Sequence, residues 1–531
     1  MKKRTEQKKS WFKARGYPHL TNKINPKNDR AEIFRLVKNP KRIAEHAFFP
    51  LFHKKIPERR YKQIGFYDNG KPKRGHSKNG ESTKKLRPLH YATHIDTQIY
   101  AYYSNEIIQK KYEGLLKQTP ELSKCITAYR RIPIEAGTES PCKSSIHFAK
   151  EAFDYIKNRG ECCAMAFDIS SFFTNLNHKT LKKAWCKLLG TKSLPKDHYN
   201  VFKSITNYSY ILIDELRTKK NQSFDEQQLA YNRQKGVQAF FESPQALRKA
   251  IQEGEIRVYK NQYHDNNGKS KKIRGIPQGL PISAMLANLY LLEFDKAVLK
   301  KVTDLGGLYR RYSDDIVVVC NEAQQKEISE FVFGEIEKYD LEIQAAKTEV
   351  SYFRYVEVNG KRQLKVFSVR TKKINGEIAE IEQENYPFAY LGFDFYGYKT
   401  LIKSKNLAKF YRRMKQAVKS KAKRIESVKE KYLISNPLLF KGRLYRVYSY
   451  KGQKPRKWKK DRRYLEYNDD LGYYAFETIE KDNPYRGNYL NYVKRAAKIM
   501  NEPGIERQLR RHFKILKKYI AEHIDAPNVR Y

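Results

Sequence analysis

The sequence predicts an α+β protein that closes in a helical region, and three features carry that expectation. From about residue 86 to 400, short apolar runs alternate with stretches of helical spacing, as sheets covered by helices require. Beyond 400 the spacing turns helical: Leu407, Phe410, Tyr411, Met414 and Val418 follow Ser404, a candidate N-cap. A second set, Tyr489, Tyr492, Val493, Ala496 and Met500, is interrupted by Pro503-Gly504 and resumes as Ile505, Leu509, Phe513, Leu516 and Ile520. At 531 residues the chain is expected to hold roughly two to four structural units. They divide into a basic N-terminal extension over 1–85, a mixed core over 86–400 and a helical, lysine-coated region over 401–531.

Taken in order, the N-terminal MKKRTEQKKSWFKARG is basic without a following apolar stretch, and no uncharged run approaches membrane-spanning length. Neither secretion nor a membrane span is expected. Residues 68–85, DNGKPKRGHSKNGESTKK, lack periodic apolar positions and read as a mobile basic loop or hairpin. The six cysteines show no CxxC pair and no zinc-like spacing, which fits a reducing cytoplasm. Lys and Arg number 107 against 58 Asp and Glu, and the net charge of +49 is the footprint of a surface that neutralises phosphates. The 40 tyrosines and 27 phenylalanines set in that background offer flat faces for unpaired bases, although most belong to a core. The basic run 454–463, KPRKWKKDRR, reads as a loop or arm.

Two adjacent aspartate pairs compete for a metal-binding role. RRYSDDIVVV (310–319) leads through a turn into a β-branched strand, so Asp314 and Asp315 would be held rigidly, as two cations roughly 4 Å apart demand. Asp469 and Asp470, in YLEYNDDLGYY, have no such strand and read as an exposed turn. A third carboxylate, Asp168, closes the apolar AMAF of AMAFDISSFFTNLNH (164–178); taken alone it reads as a helix N-cap. Between these sites lies RGIPQGLPISAMLANLYLLEFD (274–295), a Gly- and Pro-containing loop and then a helix with Ile282, Met285, Leu286, Leu289 and Tyr290 inward. Gly275 and Gly279 would allow close approach of the backbone to a ligand, and Gln278 offers a donor and an acceptor.

FDISSFF, GIPQGLPIS and YSDD, in this order, resemble motifs A (164–178), B (274–295) and C (310–320) of reverse transcriptases. KLRPLHYATHIDTQIY (85–100) and AYRR (128–131) resemble the two finger motifs before motif A. LEIQAAKTEV (341–350) resembles motif D and FAYLGFDFYG (388–397) motif E. The resemblance covers about residues 80–400 and implies a right-hand polymerase: fingers that begin within 1–85, a palm, and a thumb-like, RNA-binding C-terminal region. It further implies that Asp168, Asp314 and Asp315 bind two Mg²⁺ ions, with Mn²⁺ as a substitute, helped by the Ile169 carbonyl. Phe173 would exclude a ribose 2′-hydroxyl, Gln278 and Gly279 would lie against the incoming dNTP and its template base, and Arg87 and Arg130 would grip the triphosphate. Lys347 would protonate the leaving pyrophosphate.

YSDD argues for DNA synthesis, where RNA-copying viral polymerases usually carry Gly-Asp-Asp. The Leu-Pro-Ile-Ser continuation of motif B, the interval GVQAFFESPQALRKAIQEGEIRVYKN (236–261) and YLNYVKRAAKIM (489–500) resemble bacterial defence-associated reverse transcriptases, the unknown groups related to abortive-infection enzymes. That branch implies antiphage action with a non-coding RNA as template or scaffold and DNA as product. Some members begin on a protein hydroxyl, and several assemble into rings or trimers, which the amphipathic tail could support. The competing readings are a template-independent or protein-primed transferase of the same fold, an RNA-binding scaffold, and an intron-splicing helper.

Overall fold

The computed structural model describes residues 11–58, 62–67, 72–78, 81–135, 141–216, 226–261, 274–374, 377–433, 441–453, 462–468, 473–479 and 487–525. They form two units, neither contiguous in sequence. The first comprises Met1–Ile132, Cys162–Tyr352 and Val369–Gln383; the second comprises Pro133–Glu161, Phe353–Ser368 and Glu384–Tyr531.

The first unit contains two larger sheets. Strand β1 (Leu51–Glu58) pairs antiparallel with β2 (Lys85–Tyr91), and on its other side parallel with a short strand at Ser209–Leu212. The main sheet is built around β3 (Cys162–Asp168), β4 (Leu308–Tyr312) and β5 (Asp315–Cys320). Its order is β4-β5-β3. β5 reads DIVVVC without alternation because Ile316 to Cys320 are all buried, the pattern of a strand covered on both faces. Three helices complete the frame: α1 (His94–Tyr102), α2 (Ser283–Tyr290) and α3 (Leu292–Asp304). On and just before α2, Ile282, Met285, Leu286, Leu289 and Tyr290 are all buried, as the spacing predicts. The N-terminal segment joins the same core through Trp11, Ile33, Val37 and Ile43, so it is more than a basic extension. Five of the six cysteines are buried, Cys142 is exposed, and none is bridged.

Within 68–85 the described residues make short antiparallel pairs, Pro72–Gly75 with Lys62–Phe66 and Ser77–Lys78 with Glu81–Ser82, which is the hairpin alternative.

In the second unit a three-stranded sheet (Phe388–Tyr390, Phe393–Phe395, Thr400–Ile402) leads into α4 (Ser404–Tyr432), which buries Phe410, Met414 and Val418. Ser404 is not the N-cap. It is the first helical residue, and its amide donates to Asp394 Oδ2 at 3.3 Å, so a sheet carboxylate takes the orphan donor. The helices Tyr489–Met500 and His512–Ile520 follow, with Leu490, Val493, Ala496, Met500, Leu516 and Ile520 buried. A helix from much earlier in the chain, Ser145–Arg159, packs against Tyr489–Met500, and its Phe153 stacks on Phe395 with ring centroids 4.6 Å apart.

The tail is not wholly helical. Arg462–Asn468 and Tyr473–Ile479 pair as antiparallel strands, because tyrosines suit a strand as well as β-branched residues do. Asp469, Asp470 and most of the 454–463 run lie outside the described residues.

Candidate active site

β3, β5 and the turn between β4 and β5 bring the three aspartates to one edge of the main sheet. The pairing register sets Asp315 directly opposite Asp168, with Ile316 opposite Phe167, and this alternation puts the carboxylate pair at the end of a fully apolar ladder. Tyr312 pairs with Asp315, so only Ser313 and Asp314 make the turn. Such a two-residue hairpin favours positive φ, and Ser313 takes it at 63°. For a residue with a Cβ this costs about 1–2 kcal/mol, and it persists because the surroundings hold it. Tyr129, itself at φ 63°, places its hydroxyl 2.9 Å from Ser313 Oγ. Burial raises the Tyr129 phenol above its usual range, an effect its bond to Ser313 lessens and the nearby Asp314 and Asp315 charges reinforce, so it stays protonated.

Asp168 ends β3, and it is no N-cap: the one-turn helix Phe172–Asn175 starts beyond Ser171, another left-handed residue at φ 46°. The segment 342–347 runs alongside. Ser170 donates its amide to the Glu342 carbonyl at 2.8 Å and Gln344 to the Asp168 carbonyl at 3.2 Å, and a 3₁₀ turn delivers Lys347. Lys347 Nζ lies 2.6 Å from Asp168 Oδ2, with both side chains partly exposed. Ile169 donates its amide to the Asp314 carbonyl at 3.3 Å, tying the two carboxylate-bearing segments by backbone. The donors at this edge are carboxylate and carbonyl oxygens, the chemistry that suits Mg²⁺. As the side chains stand, no three His, Cys, Asp or Glu among the described residues are spaced to hold an ion, and Asp168 is engaged by Lys347.

The loop at 274–280 is clamped from two sides. Gly275 and Ile276 donate their amides to the carbonyls of Leu176 and Phe173 at 2.8 Å each, while the Gln278 carbonyl accepts from the His90 amide of β2 at 2.8 Å. Gly275 and Gly279 do permit close approach, but to protein backbone. A Cβ on Gly275 (φ 76°) would stand 2.4 Å from the Thr174 carbonyl oxygen, and one on Gly279 (φ 118°) 2.5 Å from that of His90. The loop therefore joins the β1-β2 sheet to the segment after Asp168. Phe173 is partly buried, its ring 5.5 Å from that of Phe172.

The two arginines part company. Arg87 on β2 is half-exposed and donates Nε to Glu58 Oε2 at 2.8 Å. Arg130 departs from the expected phosphate grip. Its side chain is only 4% exposed, Nε and Nη2 hold Glu113, Nη1 reaches the Ser123 and Ile126 carbonyls, and Nη2 also reaches Ser123 Oγ. Five donors make five bonds, leaving none for a phosphate.

Sequence reasoning missed Arg311. It is fully buried, pairs through Nε and Nη2 with both Asp295 oxygens at 2.6 and 2.5 Å, and donates Nη1 to Asn288 Oδ1 and to the Ser313 carbonyl. Its only sequence signal is an arginine pair inside a strand, Arg310 and Arg311, and residue order does not say which of the two is buried.

Residues 235–395 match the family model described as "Reverse transcriptase (RNA-dependent DNA polymerase)"; the match takes in Gln278, Asp314, Asp315 and Lys347 and begins after Asp168. No curated protein matches the chain. Among solved structures it is similar to apo telomerase from Candida tropicalis truncated from the C-terminal domain (10% identity, TM-score 0.35, 68% of this chain and 58% of that one). It is similar also to telomerase from Candida albicans in complex with a fragment of telomeric RNA (11%, 0.33, 76% and 58%). The chain thus spans a little over half the length of these telomerases. The fold is the α+β right-hand polymerase fold of fingers and palm, followed by a largely helical C-terminal region, and within it residues 235–395 are what matches the reverse transcriptase model.

Proposed function

We propose that the protein is a Mg²⁺-dependent, RNA-templated DNA polymerase that acts in bacterial defence against phage, with a dedicated non-coding RNA as template or scaffold. The observation that carries the chemistry is the register pairing of Asp168 with Asp315 beside the Ser313-Asp314 turn. Asp168, Asp314, Asp315 and the Ile169 carbonyl would hold two divalent ions, which supply activation of a primer hydroxyl and neutralisation of the departing pyrophosphate. The chain's own side chains do the remainder. Phe173 lies against the sugar and leaves no room for a 2′-hydroxyl, Gln278 and Gly279 flank the base pair being formed, and Arg87 meets phosphate through its unspent donors. Lys347 leaves Asp168 when the nucleotide arrives and gives a proton to the leaving pyrophosphate. The basic C-terminal region over 401–531 binds the RNA. The defence role rests on the resemblance of 236–261 and 489–500 to the defence-associated branch.

The test is incorporation of labelled dNTPs by protein purified from its own locus, with no template or primer added, beside Asp314→Ala and a ribonuclease-treated sample. Incorporation that needs both Asp314 and the copurified RNA, with a product complementary to that RNA, is the expected result. Incorporation that survives ribonuclease would mean untemplated synthesis, and full phage protection by Asp314→Ala would mean a scaffold.

A further inference from the structure

The Ser313-Asp314 turn has to hold a left-handed serine and aim two adjacent carboxylates, yet its two residues cannot do that alone. Beneath it lies a polar network with no access to water. Arg311, Asp295 and Asn288 are each fully buried, as are Tyr112 and Tyr309 beside them. The guanidinium forks onto Asp295 of α3, the Tyr309 hydroxyl donates to Asp295 Oδ1 at 2.6 Å, and Asn288 of α2 accepts from Arg311 Nη1 while donating to the Ala128 carbonyl at 2.9 Å. The Arg311 carbonyl accepts from the Thr127 amide and hydroxyl, both at 3.0 Å. One bond leaves this network toward the chemistry, from Arg311 Nη1 to the Ser313 carbonyl at 3.1 Å.

Stability does not account for such a cluster, because a buried ion pair is often no better than a well-packed apolar pair of the same volume. Burial pushes the Arg311 guanidinium down, the Asp295 charge and hydrogen bonds more than reverse this, and the cation is kept. The planar fork is also needed: Nε and Nη2 are committed to Asp295, so Nη1 points in a fixed direction, which a lysine could not reproduce. Nη1 meets the carbonyl of the one residue whose φ decides how Asp314 and Asp315 splay.

We infer that Arg311, locked by Asp295 and Asn288, is a positioning residue that sets the aspartate turn for cation binding by fixing the Ser313 carbonyl. The inference rests on the polymerase reading for its activity readout, but cation binding by the turn can be measured without it.

Two full-length variants test it. Arg311→Lys retains the charge beside Asp295 and loses the bond to Ser313; Arg311→Met with Asp295→Leu removes both charges, so neither is left unpaired if the first variant fails to fold. Each is assayed for thermal melting, for Mg²⁺ dependence of dNTP incorporation, and for Tb³⁺ binding by luminescence sensitised through Tyr129 and Tyr312, with Mg²⁺ as competitor. The expected result is a folded protein whose half-saturating Mg²⁺ and Tb³⁺ concentrations both rise by about 10- to 100-fold, the usual loss when a group supporting a metal ligand is removed. Folded variants whose cation dependence matches the wild type would overturn the inference and leave the pair a packing feature. If the wild type incorporates no dNTP under any condition, the polymerase reading fails while the Tb³⁺ comparison still decides the role of Arg311.

Discussion

Arg130→Ala should cost stability and leave nucleotide affinity alone. The guanidinium holds Glu113 and two carbonyls, so truncation leaves buried acceptors unmet, at about 1–3 kcal/mol. Urea melts should show that loss, and KM for dNTP in the folded enzyme should not move; a several-fold rise in KM would restore the phosphate role. Phe173→Val should do the reverse, with an unchanged melt and ribonucleotide rejection weakened by about 10- to 200-fold, the range open to a steric pocket. Competition between dNTP and NTP checks it, and unchanged selectivity would remove the gate. The aspartates could be nominated from sequence because a short polar turn before a β-branched run restricts what they can do. Arg130 could not be read, since its partner Glu113 sits 17 positions away and a guanidinium does not announce whether its donors are spent.

At the scale of elements, Gly275→Ala should disrupt the loop between the two sheets. The added methyl would meet the Thr174 carbonyl oxygen at 2.4 Å, and that oxygen is backbone and cannot step aside. A loss of about 1–3 kcal/mol is expected from strain and overpacking, together with a large fall in dNTP incorporation, because the same loop carries Gln278. Stability and activity equal to wild type would show that the loop is free to shift. The sequence marked these glycines as points of close approach to a ligand, where the fold brings protein backbone instead: positive φ and close approach are properties of a backbone, and whether ligand or protein fills the space is decided by the fold. β5 and α2 were legible for the opposite reason, since continuous burial and helical spacing leave a direct trace in residue order. The pair Arg462–Asn468 and Tyr473–Ile479 left a weak one, with aromatic residues in place of Val and Ile.

For the whole molecule, the charge of +49 predicts how RNA should be held. Affinity carried by Lys and Arg on phosphates should fall by roughly 10³-fold or more between 50 and 200 mM salt, in the manner of counterion release. Filter binding of the copurified RNA over that range checks this, and Asp314→Ala should give the same slope because it binds no phosphate directly; a flat profile would mean that shape or stacking dominates. The order of segments in the second unit has its own outcome. The helix Ser145–Arg159 leaves the ribosome long before Tyr489–Met500, against which it packs and which follows roughly 330 residues later, a wait of some tens of seconds at ordinary synthesis rates. For that interval the face of Ser145–Arg159 that Tyr489–Met500 covers is bare. A shortened chain ending near 400 would make the interval permanent, so cutting the protein down to its recognisable polymerase segments should yield a sticky fragment that calls on chaperones.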